Sequence, residues 1–126
     1  MSADLSTEPR DLALQALYQA DRTGDPGYVE DLPPRARRLI EGVMAHADDL
    51  DAAIGAASDH WTIDRMPVID RAILRLGLYE LRNSLGTPSA VIVNEAVRLA
   101  KTYSTQRSGS FVNGVLAALA EAERSD

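Results

Sequence analysis

The stretch that most restricts the possible folds of this chain runs from Ile69 to Leu81, Ile-Asp-Arg-Ala-Ile-Leu-Arg-Leu-Gly-Leu-Tyr-Glu-Leu. On a helical wheel at about 100° per residue, Ile69, Ile73, Leu74, Leu76, Gly77, Leu78 and Leu81 cover more than half the circumference. A helix lying on a protein surface shows an apolar arc of about a third of the wheel, so this one must be enclosed by neighbours on several sides. Arg71, Arg75 and Arg82 fall in one narrow stripe on the remaining side, which is expected to face out. Glu80 lies inside the apolar arc. A carboxylate there needs a partner, because burying it unpaired costs several kcal/mol or more.

The flanking segments supply what such a helix needs. Residues 10–22 place Leu12, Ala13, Ala16, Leu17 and Ala20 on one arc, with Leu14 and Tyr18 on the opposite flank, and Thr-Gly-Asp-Pro-Gly at 23–27 stops the helix. Residues 28–32 read as a connector with one turn of helix. Pro33-Pro34 opens a second helix, expected to run unbroken over 34–57. There Ala36, Leu39, Val43, Ala47, Leu50 and Ile54 fall within a stripe of about 80°. Residues 58–66 form a connector holding Trp61, read as a lid over the core or a ligand site. After the central helix, Thr87 is placed as N-cap and Pro88 at the first helical position of a helix over 88–103. Ser104 to Gly109 reads as a polar loop, and Ser108 or Ser110 as the cap of a last helix starting at Phe111 and ending near 121. No stretch alternates with period two. The pattern is that of an all-α bundle of five or six helices with short connections. Residues 1–8 are polar and expected to lack regular structure.

Composition narrows the function. The 126 residues make one domain, and a 45% hydrophobic content is enough for its core. There is no cysteine, hence no disulfide and no thiolate site. Nothing approaches the ~20 apolar residues of a membrane span, and the N-terminus does not read as a secretory signal, so the expected location is cytoplasmic. The two histidines, His46 and His60, sit in no metal-binding spacing. Asp48, Asp49 and Asp51 are spread around a helix and read as a solvated face. No catalytic residue, metal or cofactor is expected. The reading is a binding domain rather than an enzyme.

A net charge of −6 disfavours polyanion binding through bulk electrostatics. The charge is uneven. Residues 1–60 hold 5 basic and 12 acidic side chains, whereas 61–126 hold 8 and 7, so any polyanion site belongs mainly to the second half. Four features could serve binding: the arginine stripe, Phe111 beside its polar loop, Tyr18, and Trp61. For each the alternative is a packing or surface role. An aromatic beside a polar loop is suited to stacking a nucleic-acid base.

The run Trp61…Asp70-Arg71-Ala72-Ile73-Leu74-Arg75…Leu78-Tyr79-Glu80-Leu81 resembles the signature of the bacterial NusB transcription antitermination family. So do Val93-Asn94-Glu95-Ala96-Val97…Leu99-Ala100-Lys101, Phe111-Val112-Asn113-Gly114-Val115-Leu116 and Ala13-Leu14-Gln15-Ala16-Leu17-Tyr18. The resemblance covers about residues 10–120. It implies a compact helical bundle of about six to seven helices in two subdomains, with N-terminal helices over 9–57 and C-terminal helices over 61–122. It also implies pairing with the ribosomal protein NusE, binding of single-stranded boxA RNA in nascent ribosomal RNA transcripts, and service in an RNA polymerase antitermination complex, with no catalysis and no membrane. By matching positions, Arg10, Tyr18, Arg107 and Phe111 are implied RNA contacts, and Asp64 and Asp70 face NusE. Asn94 and Asn113 are read as packing residues.

One departure bears on affinity. Many members carry an arginine-rich run before the first helix, whereas this chain reads Ser6-Thr7-Glu8-Pro9-Arg10. Fewer phosphate contacts mean weaker RNA binding with a shallower salt dependence. Arg107, where members often have an acid, compensates in part. The alternatives are a NusB-fold module that binds only protein, and a detached N-terminal domain of a ribosomal RNA methyltransferase. The pattern leaves monomer and homodimer open.

Overall fold

The computed structural model describes residues 8–58 and 62–124. The expectations for residues 1–7, His60 and Trp61 lie outside them. Among the described residues six α-helices follow one another: α1 (Pro9–Thr23), α2 (Pro34–Ala45), α3 (Ala47–Ala57), α4 (Val68–Asn83), α5 (Ser89–Tyr103) and α6 (Gln106–Glu123). Short 3-10 turns at Val29–Asp31 and Ile63–Arg65 sit in two of the connections. There is no strand among the described residues.

Helix α4 is the axis. It packs against α1, α2, α3, α5 and α6. Ala72, Ile73, Leu74, Leu76, Leu78 and Leu81 are all buried along it. This is the enclosure its wide apolar arc requires. Gly77 lets α6 come close, since a Cβ there would press on the Leu116 side chain.

Helix ends follow local chemistry. Pro9 opens α1 in the first turn, where its missing N–H has no intrahelical partner to lose. Gly24 closes it at φ 85°, a left-handed conformation that glycine adopts without penalty. The C-terminal end of α4 is closed from a distance. Arg124, just past α6, donates to the carbonyls of Leu81 (2.8 Å), Ser84 (2.8 Å), Glu80 (3.2 Å) and Thr87. A cation on these carbonyls satisfies orphan acceptors and complements the helix dipole.

Five expectations need correction. The helix over 34–57 is two helices meeting at His46, whose φ of −118° and ψ of 19° depart from helical values. Tyr79 of α4 packs its ring on Gly42, where any Cβ would overlap it, and His46 Nδ1 lies 2.9 Å from the Gly42 carbonyl. The side chain thus competes for a carbonyl of the ladder where the chain bends over α4.

The arginine stripe is paired rather than free in solvent, with Arg71 and Arg75 largely covered and Arg82 more open. Arg71 pairs with Asp21 at 2.9 Å, Arg75 with Asp51 at 2.6 Å, and Arg82 with Glu123 at 2.8 Å. It is an ionic seam joining α4 to α1, α3 and α6.

The polar stretch 104–109 is not a loop. Helix α6 starts at Gln106, capped by Thr105, whose hydroxyl accepts from Ser108 N–H at 3.0 Å. Phe111 therefore sits in the second turn. At the start of α5, Pro88 rather than Thr87 is the N-cap residue. Asn94 and Asn113, read as packing residues, are exposed.

Candidate nucleic-acid interface

The buried acid predicted by the wheel is met by Arg10. Glu80 is 1% exposed and Arg10 8%. Arg10 Nε and Nη2 donate to its two oxygens at 2.7 and 2.9 Å. Arg35 Nη2 lies 3.6 Å from the same carboxylate, and Arg10 Nη1 lies 3.8 Å from Glu95. Glu95 in turn holds Arg98 at 3.1 Å, and Arg98 donates to Asp11 at 2.7 Å. Three arginines and three acids thus alternate across α1, α2, α4 and α5. Hydrogen bonding to Asp11 raises the Arg98 pKa further above its already high value. Tyr103 O–H also donates to Asp11, at 2.7 Å. Burial, followed by this hydrogen bond, raises the phenol pKa above 10. Arg10, expected to grip phosphate, is turned inward and fastens α1 to α4.

The remaining implied site residues fall in different places. An open cleft of about 490 Å³ lies between the starts of α4 and α6, lined by Met66, Pro67, Asp70, Thr105, Arg107, Ser108 and Phe111. Three of the six implied residues, Asp70, Arg107 and Phe111, meet here. Arg107 is exposed, and Phe111 is half-buried with its ring against the core edge.

Asp70 is 3% exposed. Its Oδ2 accepts from the Ser108 hydroxyl at 2.8 Å, and its Oδ1 has no hydrogen-bond partner among the described residues. Ser108 Oγ also lies 2.9 Å from Ser104 Oγ and 3.0 Å from Thr105 Oγ1. Asp64 is exposed on the turn leading into α4, two residues before the cleft wall at Met66. Tyr18 does not line the cleft. It is half-buried on α1, with the Arg22 guanidinium 5.4 Å from its ring centroid.

Sequence reasoning passed over Thr105, Ser108, Met66 and Pro67 as site residues. The signal for the first two was present: Thr105 followed three residues later by Ser108 has the spacing of an N-terminal cap. The cleft itself is chemically mixed. It has an aromatic ring and two apolar side chains on its walls, a cation at its rim, and hydroxyl and carboxyl oxygens at its base. That combination suits a planar, polar-edged ligand carrying negative charge nearby. No group of histidines and carboxylates placed to hold a metal occurs among the described residues.

Comparison with known proteins bears on what such a cleft serves. The model of the NusB family matches residues 7–121. The transcription antitermination protein NusB of Streptomyces griseus is 44% identical over 123 residues, covering 86% of each chain. That of Geobacillus kaustophilus is 40% identical, covering 86% of this chain and 90% of its own. Among solved structures, T. maritima NusB superposes with a TM-score of 0.84 at 31% identity, over 94% of this chain and 92% of that one. A NusB crystallised with NusE and double-stranded RNA superposes at 0.76 with 32% identity, over 92% and 96%. With a family model spanning nearly the whole described fold and relatives this similar over most of their length, the chain belongs to the NusB family.

Proposed function

We propose that this protein is a transcription antitermination factor of the cytoplasm that binds boxA-type single-stranded RNA of nascent ribosomal RNA together with ribosomal protein NusE, without catalysis. The cleft between α4 and α6 carries this reading. Phe111 contributes an aromatic ring to its wall and Arg107 a cation at its rim. Only an unpaired base can stack on such a ring, which favours single-stranded RNA. A relative of the same fold that assembles with NusE and RNA supports the pairing of partners.

The chain's own charge shapes the division of labour. Its net charge is −6, and Arg10, Arg71, Arg75 and Arg82 are all held in ion pairs. In this reading Arg107 is the principal phosphate contact, Phe111 the stacking platform, and Tyr18 with Arg22 a second surface on α1. Exposed Asp64 steers the basic partner. Asp70 acts from below by holding Ser108 and the first turn of α6.

The test is RNA binding by gel shift, with and without NusE, at two salt concentrations. The expected result is weak binding by the chain alone and a large gain with NusE. Phe111→Ala should weaken the ternary complex by about tenfold or more, the order expected for losing one stacked base. Tight binding by the isolated chain with a steep salt slope contradicts the proposed dependence on NusE. A second reading is favoured by the inward-turned Arg10, namely that the fold serves only as a protein-binding module. In that case Phe111→Ala leaves RNA crosslinking of the assembly unchanged.

A further inference from the structure

We propose that the bend between α2 and α3 is a docking surface for a basic protein segment that inserts one apolar side chain, on the side of α4 away from the cleft it forms with α6. Two open depressions meet at the bend. One, of about 200 Å³, is walled by Leu17 and Ala20 of α1, Val43, Met44 and Ala47 around the bend, and Ala72 of α4. The other, of about 330 Å³, runs from Met44 past His46 to Asp48 and Asp49. Met44 and Ala47 line both, so the two form one trough with an apolar end and an acidic end. Met44, where they join, is 42% exposed. Covering it together with the alanines beside it removes apolar surface from water.

Size and charge select the occupant. The apolar end is smaller than the ~300–1,000 Å³ of ligand clefts and fits one side chain of a partner better than a metabolite. The charged residues lining the trough are Asp21, Asp48, Asp49 and Arg75. Arg75 is already engaged, with Asp51 at 2.6 Å and Asp21 at 3.6 Å. Asp48, Asp49 and Glu41, three residues before Met44, are exposed and form no ion pair among the described residues. The first-turn N–H groups of α3 would draw an anion, but Asp48 and Asp49 already place two negative charges in that turn. The trough therefore attracts lysine and arginine side chains and repels the phosphates of a nucleic acid. Helix α4 separates it from the cleft. At about 100° per residue, Arg75 and Ala72 stand about 140° and 200° around α4 from Asp70, which lines the cleft. A segment docked at the bend leaves Arg107 and Phe111 open, so the chain has room for a second basic partner beside NusE.

The experiment titrates the isotope-labelled protein, followed by NMR, with three synthetic peptides: a lysine-rich one with a single central leucine, the same peptide with alanine in that place, and a glutamate-rich version with the leucine. The leucine peptide should shift the amide signals of Ala20, Met44, Ala47 and Ala72. The alanine peptide should bind about tenfold more weakly, the order expected for losing one apolar side chain from a partly enclosed site. The glutamate version should not bind. Asp48→Asn with Asp49→Asn, both at exposed positions, should weaken the leucine peptide several-fold and flatten its salt dependence while leaving capture by NusE unchanged. Saturation with NusE should leave the peptide titration as it was. Absence of binding, shifts confined to other parts of the molecule, equal affinity for the leucine and alanine peptides, or binding of the glutamate peptide would each overturn the inference. Displacement of the peptide by NusE would make the bend part of the NusE interface and would end the proposal of a second partner. The peptide titrations involve neither NusE nor RNA, so they succeed or fail separately from the proposed function.

Discussion

Glu80 shows how much one buried carboxylate can organise. Removing one member of a buried, hydrogen-bonded ion pair leaves the other charge uncompensated, typically at about 3–5 kcal/mol. Arg10→Met should therefore destabilise the fold by about that amount in urea unfolding, whereas Arg10→Met with Glu80→Leu should recover most of the loss. Tyr103 gives a pH signature. Its folded pKa is raised above the ordinary tyrosine value of 10, by burial and then by Asp11, so the fold favours the neutral phenol. Its contribution to stability is full below pH about 10 and is lost as pH rises through the raised folded value. The stability difference between the parent and Tyr103→Phe should shrink across that alkaline range, read by urea unfolding at stepped pH. The wheel made the need for a partner at Glu80 legible, but not the partner's identity. Arg10 lies 70 residues away in sequence.

At the level of the helix, apolar periodicity carried most of what the sequence could reveal. Helix α4 was legible because enclosure on several sides leaves a wide apolar arc, and α5 because Ile92, Val93, Ala96, Leu99 and Ala100 keep to one side of it. Breaks and caps were harder. The apolar stripe over 36–54 keeps its register through His46, so nothing in the pattern marks the bend; the contacts found there are the Tyr79 ring on Gly42 and the His46 ring nitrogen at the Gly42 carbonyl. Gly42→Ala should push that ring aside, at a cost of about 2 kcal/mol and a Tm lower by ~5–10 °C in a thermal melt. The start of α6 was mistaken for loop because Thr105, Ser108 and Ser104 satisfy one another and Asp70. A binary pattern of polar and apolar residues does not distinguish a closed hydroxyl cluster from a solvated one. The arginine stripe was misjudged for a related reason. A wheel gives the direction of a side chain and not what lies there, and Asp51, Asp21 and Glu123 stand 24, 50 and 41 positions from their partners.

For the whole molecule, Glu80 is also where the two ends of the fold converge. Arg10, near the start of the first helix, holds its carboxylate, and Arg124, just beyond the last, reaches its carbonyl. Ends held at a common point make the order of the helices along the chain separable from their arrangement in space. A permuted protein, cut in the exposed turn at Gly24–Asp25 and rejoined from residue 124 to residue 8 through about eight glycines and serines spanning ~15 Å, should fold to the same bundle. Its circular dichroism and its capture by NusE would match those of the parent. Failure would mean that helix order, and not the shared anchor, is what the bundle requires.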